Sequence, residues 1–218
     1  MLLAYGELEG ERSFDFPVDT LLAHVEIFVG VQDLGEVRIL RPDGSPLANG
    51  ERARIQAFEH MRIATLEPPE CGRWRIQVRG RGLYCVTVRG GADTRSIPPT
   101  GDLAPILLVD FTFVELGGRP GHEGWFPIER EPGPGEELMA RLDLAGSFPS
   151  AELGFAGADG RPLDSGFLPL EFEPGGETAH VRCVVPGEPF RAFVRGYDVW
   201  GAPFQRMHAP RFAPASER

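Results

Sequence analysis

Apolar and polar side chains alternate along most of this chain with a period of two. In residues 74–79 the apolar positions are Trp74, Ile76 and Val78, separated by Arg75, Gln77 and Arg79. Residues 83–89 continue the pattern with Tyr84, Val86 and Val88. Such alternation predicts half-buried antiparallel strands, with one face in a core and the other in water. Arg79-Gly80-Arg81-Gly82 then predicts a hairpin turn between the two strands. The same reading places further strands over 13–18, 23–31, 36–40, 52–58, 62–66 and 106–114. In the second half it gives 125–128, 138–144, 152–155, 167–172, 179–185, 190–196 and 204–208. Apolar spacing of three and four, which a helix requires, is offered weakly by 136–144 alone.

The pattern also repeats. Asp43-Gly44-Ser45-Pro46-Leu47 returns as Asp159-Gly160-Arg161-Pro162-Leu163, and Val78-Arg79-Gly80 returns as Val194-Arg195-Gly196, both displaced by 116 residues. In that register Trp74 falls on Phe190 and Ile39 on Phe155. The turn element has a physical basis: Asp bonds its own backbone two residues on, Gly accepts positive φ, and Pro stops the ladder. Seven or eight short strands per domain of about 100 residues is the signature of a sandwich. The expected fold is therefore all-β, two tandem immunoglobulin-like antiparallel β-sandwiches. Gly and Pro are dense over 116–135, which places the boundary at 117–119 and the domains at 1–117 and 118–218.

Composition narrows the function. The 28 glycines and 21 prolines fall between apolar runs and read as turns. A net charge of −10 argues against nucleic acid, which needs a basic face. Neither half hides a basic module: twelve arginines face seventeen carboxylates in 1–117, and ten face fifteen in 118–218. Every basic residue counted is arginine, and Asn49 has no glycosylation context. No apolar run approaches the roughly 20 residues of a membrane helix, so no membrane insertion is expected. Met1–Leu3, followed by Glu7, Glu9 and Glu11, is too short for the apolar core of a signal peptide. The chain is expected to carry no address of its own.

The inventory of reactive groups is thin. His24, His60, His122, His180 and His208 form no metal-binding motif, and a Walker loop is impossible without lysine. Carboxylates do not cluster as calcium loops do, and Glu136-Glu137 and Glu171/Glu173 read as solvent-facing strand positions; a calcium-binding loop is the alternative. With the predicted hairpin, Cys85 lies opposite Gln77, too far from Cys71 for a disulfide, and Cys183 is in the other half. All three cysteines read as free and mostly buried. No catalytic residue, metal or cofactor is assigned. Tyr197, Asp198 and Trp200 occupy one turn of the second half. Either its aromatics fold back on their own sandwich, or they form an exposed platform for a sugar ring or a protein.

Two ordered series of residues carry a resemblance. The first is Phe16-Pro17-Val18-Asp19, Pro42-Asp43-Gly44, Glu67-Pro68, Gly72-Arg73-Trp74, Val88-Arg89-Gly90 and Val109-Asp110-Phe111. The second is Arg119-Pro120, Val194-Arg195-Gly196-Tyr197-Asp198 and Phe204-Gln205-Arg206. Together they resemble the region that follows the von Willebrand A domain in hemicentins and related extracellular proteins. The resemblance implies a non-enzymatic structural or adhesive module, extracellular, acting as a connector or a protein-interaction surface. It implies a protein partner, such as a von Willebrand A domain in the same or a neighbouring chain. Its most specific segment makes Tyr197, Asp198, Trp200, Gln205 and Arg206 the candidate partner-binding residues. The alternative is a carbohydrate- or peptide-binding sandwich that uses the Tyr197/Trp200 turn. The A domain and its Asp-x-Ser-x-Ser metal loop are absent, so metal-dependent adhesion does not transfer. The chain is expected to be either a piece of a longer secreted protein or a stand-alone relative.

Overall fold

Alternation is met by strands throughout. The computed structural model describes residues 2–50, 52–92, 104–172 and 176–215, and Glu173 lies outside them. Among the described residues there is no helix, and all strand pairs in the sheets are antiparallel.

The N-terminal domain is one sheet of five strands. β1 (Leu2–Val18), β2 (His24–Leu40), β3 (Ala53–Ala57), β4 (Met61–Leu66) and β5 (Gly72–Gly91) lie in the order β1-β5-β2-β4-β3. Three of these strands are far longer than the alternation alone indicated. The hairpin expected at 79–82 does not form, because β5 runs through it and keeps partners on both sides. Arg79 pairs with Glu11 and Glu36, Gly80 with Gly10 and Leu34, and Arg81 with Glu9 and Asp33. Two arginines thus sit between four carboxylates on neighbouring strands, a favourable cross-strand arrangement that a turn would dissolve.

What happens at this line of residues is a bend. Gly10 and Gly82 have φ of +92° and +88°, and β2 breaks register on either side of Asp33-Leu34. Such bulges and glycines kink strands sharply. The consequence is visible in Phe14 and Tyr84. Tyr84 is the ladder partner of Gly6, eight residues from Phe14, about 26 Å along a flat strand. Their ring centroids are nevertheless 5.6 Å apart. The sheet folds over itself, so both layers of the first sandwich come from the same three strands. Leu2, Ala4, Val29, Val86 and Tyr84 from one layer share a core with Phe14, Phe16, Ile39, Trp74 and Ile76 from the other.

The C-terminal domain is two sheets. β6 (Leu107–Gly117), β7 (Gly124–Pro127), β8 (Glu137–Ala145) and β11 (Thr178–Val184) form one, in the order β11-β8-β6-β7. β9 (Ser150–Ala156), β10 (Leu168–Pro169), β12 (Arg191–Tyr197) and β13 (Pro203–Met207) form the other, in the order β10-β9-β12-β13. Phe111, Phe113, Leu142, Phe155, Phe190, Val194 and Phe204 meet in its core.

The expected boundary at 117–119 moves toward the N-terminus. β6 pairs with β7 and β8, and its Phe111 and Phe113 belong to the second core. The Gly- and Pro-rich stretch is a hairpin rather than a linker: Gly117 pairs with Gly124, and the His122 amide donates to the Arg119 carbonyl at 2.8 Å. The chain passes from one domain to the other between β5 and β6.

The repeat survives as geometry. Leu40 bridges Pro46 and Ala156 bridges Pro162. The Leu47 amide donates to the Ile39 carbonyl at 2.8 Å, as Leu163 does to Phe155 at 2.8 Å. Asp43 accepts from the Ser45 amide at 2.8 Å and Asp159 from the Arg161 amide at 3.0 Å. Ile39 pairs with Ile76 and Val37 with Val78; 116 residues later Phe155 pairs with Ala192 and Leu153 with Val194.

Candidate functional site

Two of the residues that sequence reasoning singled out, Asp198 and Arg206, lie at the seam between the domains. β1 and β13, edge strands of their respective sheets, lie against each other. The turn after β12 begins with Asp198, which is 1% exposed. One oxygen of its carboxylate accepts from the amides of Trp200 at 2.9 Å and Ala202 at 2.8 Å. The other accepts from the amide of Thr20, in the N-terminal domain, at 3.0 Å. A short acid can hold a tight turn in this way, and here the same acid holds the neighbouring domain.

Arg206 closes the seam from the next strand. Its guanidinium donates to the carboxylate of Asp19 at 2.6 Å and to the carbonyl of Ile106 at 2.6 Å. The Asp19 side chain is 1% exposed and that of Arg206 11%. A planar guanidinium suits this setting because its fork serves a carboxylate and a carbonyl at once. At the other end of the seam Arg12 donates to the Asp159 carboxylate at 2.6 Å and to the Tyr84 hydroxyl at 2.7 Å. The Tyr5 amide donates to the Ala158 carbonyl at 2.9 Å. Burial pushes the Asp159 carboxyl up, but hydrogen bonds from Arg12 and the Arg161 amide outweigh it and hold the group below its ordinary value.

The five candidate residues therefore separate. Asp198 and Arg206 are committed within the chain to the contact between its own domains. Gln205 is partly buried beside them. Tyr197 and Trp200 are 51% and 50% exposed, and Val199, which the sequence did not flag, is 49% exposed between them. The turn thus has a buried acidic root and an exposed apolar tip. Asp19 and Arg12 were missed as interdomain residues, although Asp19 ends the Phe16-Pro17-Val18-Asp19 segment of the resemblance.

The remaining reactive groups lie apart. Cys71 is exposed, contrary to expectation, because it stands just before β5 where no core begins. Cys183 is buried, and burial pushes its thiol up to about 12. His208 stacks on Phe212 and lies 3.6 Å from Asp110; burial lowers its pKa against the opposing pull of that carboxylate. His180 lies under the Trp125 ring. Glu136 is bound by Arg130 and by the Gly133 amide, which brings its pKa down to about 2. Among the described residues no three His, Cys, Asp or Glu side chains gather as metal ligands.

Residues 1–93 match the family described as hemicentin galactose-binding domain-like. The N-terminal domain is similar to the domains of that family. The match ends two residues beyond β5, in keeping with a domain that closes there. No curated protein matches the chain. Among solved structures, the lipase BlEst2 of Bacillus licheniformis in its propeptide form is similar over 94% of this chain and 43% of its own, at 13% identity and a TM-score of 0.37. This chain thus spans less than half the length of that lipase. A chimeric titin Z1Z2 is similar over 100% of both chains, at 12% identity and a TM-score of 0.28. The titin tandem A164-A165 covers 95% of this chain and 96% of its own, at 13% identity and a TM-score of 0.25.

Proposed function

We propose that this chain is a rigid, non-enzymatic connector of a hemicentin-like extracellular protein, spacing or presenting a protein partner such as a von Willebrand A domain. The observation that carries the reading is the buried Asp19–Arg206 pair, supported by the Thr20–Asp198 bond across the same seam. A pair of opposite charges removed from water is tolerated only when both are held in good geometry, which favours one defined arrangement of the two domains. A connector that transmits position between partners needs such a seam, whereas a flexible tether does not. Small-angle scattering tests it. The profile should fit one rigid two-domain body, and a profile that demands an ensemble of independently tumbling domains ends the proposal.

A second reading is favoured by one observation, the exposed tip of Tyr197, Val199 and Trp200. A rigid root beneath an apolar tip suits docking of a peptide or saccharide, since aromatic contact area comes at low cost in side-chain entropy. Trp200→Ala should abolish capture on a glycan or peptide array while leaving the scattering profile unchanged. Undiminished capture removes this reading.

A further inference from the structure

Two motifs in the sequence remain without a role: the arginine of Gly72-Arg73-Trp74 and that of Asp159-Gly160-Arg161. The fold brings them to one place. A cleft of about 270 Å³ opens between the domains, and its walls include Arg12, Asp15 and Arg73 from the first and Asp159, Arg161 and Arg195 from the second. Its two carboxylates are already engaged. Asp15 is held by both arms of Arg75 at 2.6 and 3.0 Å, and Asp159 is held by Arg12 at 2.6 Å. Arg195 is held by Glu152 at 2.9 Å. Arg161 reaches Asp159 only at 3.7 Å, with its side chain 73% exposed. Among the described residues nothing bonds the Arg73 side chain. The cleft of a strongly acidic protein thus presents two weakly engaged guanidinium groups, one from each domain.

We infer that this interdomain cleft binds an acidic saccharide, with the carboxylate of a uronate unit clamped between Arg73 and Arg161. The guanidinium fork matches a carboxylate in two parallel bonds, and a partly enclosed cleft strengthens such bonds relative to open water. One feature favours a sugar over an acidic peptide. The strand edges beside the cleft, β1 and β13, lie against each other, so an extended peptide finds no backbone ladder to join.

The site needs both domains in place and so rests on the rigid seam. Titration of the full chain with tetramannuronate, followed by calorimetry, tests it. Binding should weaken with salt, and should vanish for the same tetramer with its carboxylates methyl-esterified. Arg73→Ala and Arg161→Ala should each weaken binding about tenfold, whereas Arg38→Ala, on an exposed strand elsewhere, should not change it. Absence of binding overturns the inference, as does equal binding of the methyl ester. So does hexaglutamate binding as tightly as the sugar, or full affinity in both variants. Scattering from the same samples separates the causes: a rigid profile without binding removes the clamp alone, and a flexible profile removes the seam.

Discussion

The two domains share one unit and finish it differently. In each, a strand runs into an Asp-Gly-x-Pro-Leu turn and pairs with a later strand in the same register: β2 with β5, and β9 with β12. In the N-terminal domain those strands continue, 17 and 20 residues long, through a bend into a second layer. In the C-terminal domain they stop after seven residues each, and β6, β7, β8 and β11 supply the second layer separately. Identical local chemistry at the turn therefore fixes a strand pair but not the route by which its other face is covered. That route is decided by the residues at the far end of the pair: glycine and a bulge keep the ladder while bending it, whereas a loop ends it.

The largest effect is expected where the two domains meet. Asp19→Ala leaves the Arg206 guanidinium buried opposite no charge, which should cost about 3–5 kcal/mol. Both domains contribute to this contact, so a single thermal transition in the parent should split into two in the variant. One cooperative transition in both proteins would show that the seam does not couple the domains.

Next come the glycines at equivalent places in the two units, Gly80 and Gly196. A Cβ on Gly80 would stand 2.6 Å from the Asp33 carbonyl oxygen, at the bend itself. A Cβ on Gly196 would meet the Ser150 carbonyl oxygen and, at 2.8 Å, the Phe204 ring. Backbone atoms cannot step aside as a flexible side chain can, so each alanine should cost about 1–3 kcal/mol. The two should differ in kind. Gly80→Ala should loosen the packing of Phe14 on Tyr84 across the fold, read as a change in Tyr84 ring-proton shifts. Gly196→Ala should leave those shifts alone. Identical spectral changes would mean that Gly80 has no special part in folding the sheet over.

The same contrast explains what the sequence disclosed. Alternation identified nearly every strand of the second domain to within one or two residues, and the displaced turns revealed the shared unit, because both are local. The bend at Gly80 was legible as a glycine pair but not as a bend: Arg-Gly-Arg-Gly reads as a turn until Glu9, Glu11, Asp33 and Glu36 are known to flank it. The boundary was misplaced for a related reason. A Gly-Pro cluster marks a chain reversal, and only the pairing of β6 with β8 shows that the reversal lies inside a domain. Asp198 and Arg206 drew notice as a specific motif, yet their partners across the seam, Thr20 and Asp19, are 178 and 187 residues away, so nothing local could show that they face inward.

The finest test compares the two turn aspartates. Asp43 serves its turn alone, accepting from the Ser45 amide and hydroxyl, and these bonds hold its pKa below the ordinary carboxylate value. Asp159 does the same work and also receives Arg12 from the other domain. Asp159→Ala should therefore cost more than Asp43→Ala, by about 1 kcal/mol for a partly exposed interdomain pair. The excess should depend on pH in a definite direction. Because the folded-state pKa of Asp159 is depressed, its contribution is complete above the unfolded carboxylate pKa and disappears as pH falls through the folded value. Melting temperatures of the parent and Asp159→Ala should thus differ by a constant amount near neutrality and converge in acid. The gap between the two variants should close over the same range. A gap that widened on acidification would mean that Arg12 does not stabilise the ionised form, and that the two turns differ for some reason other than the seam.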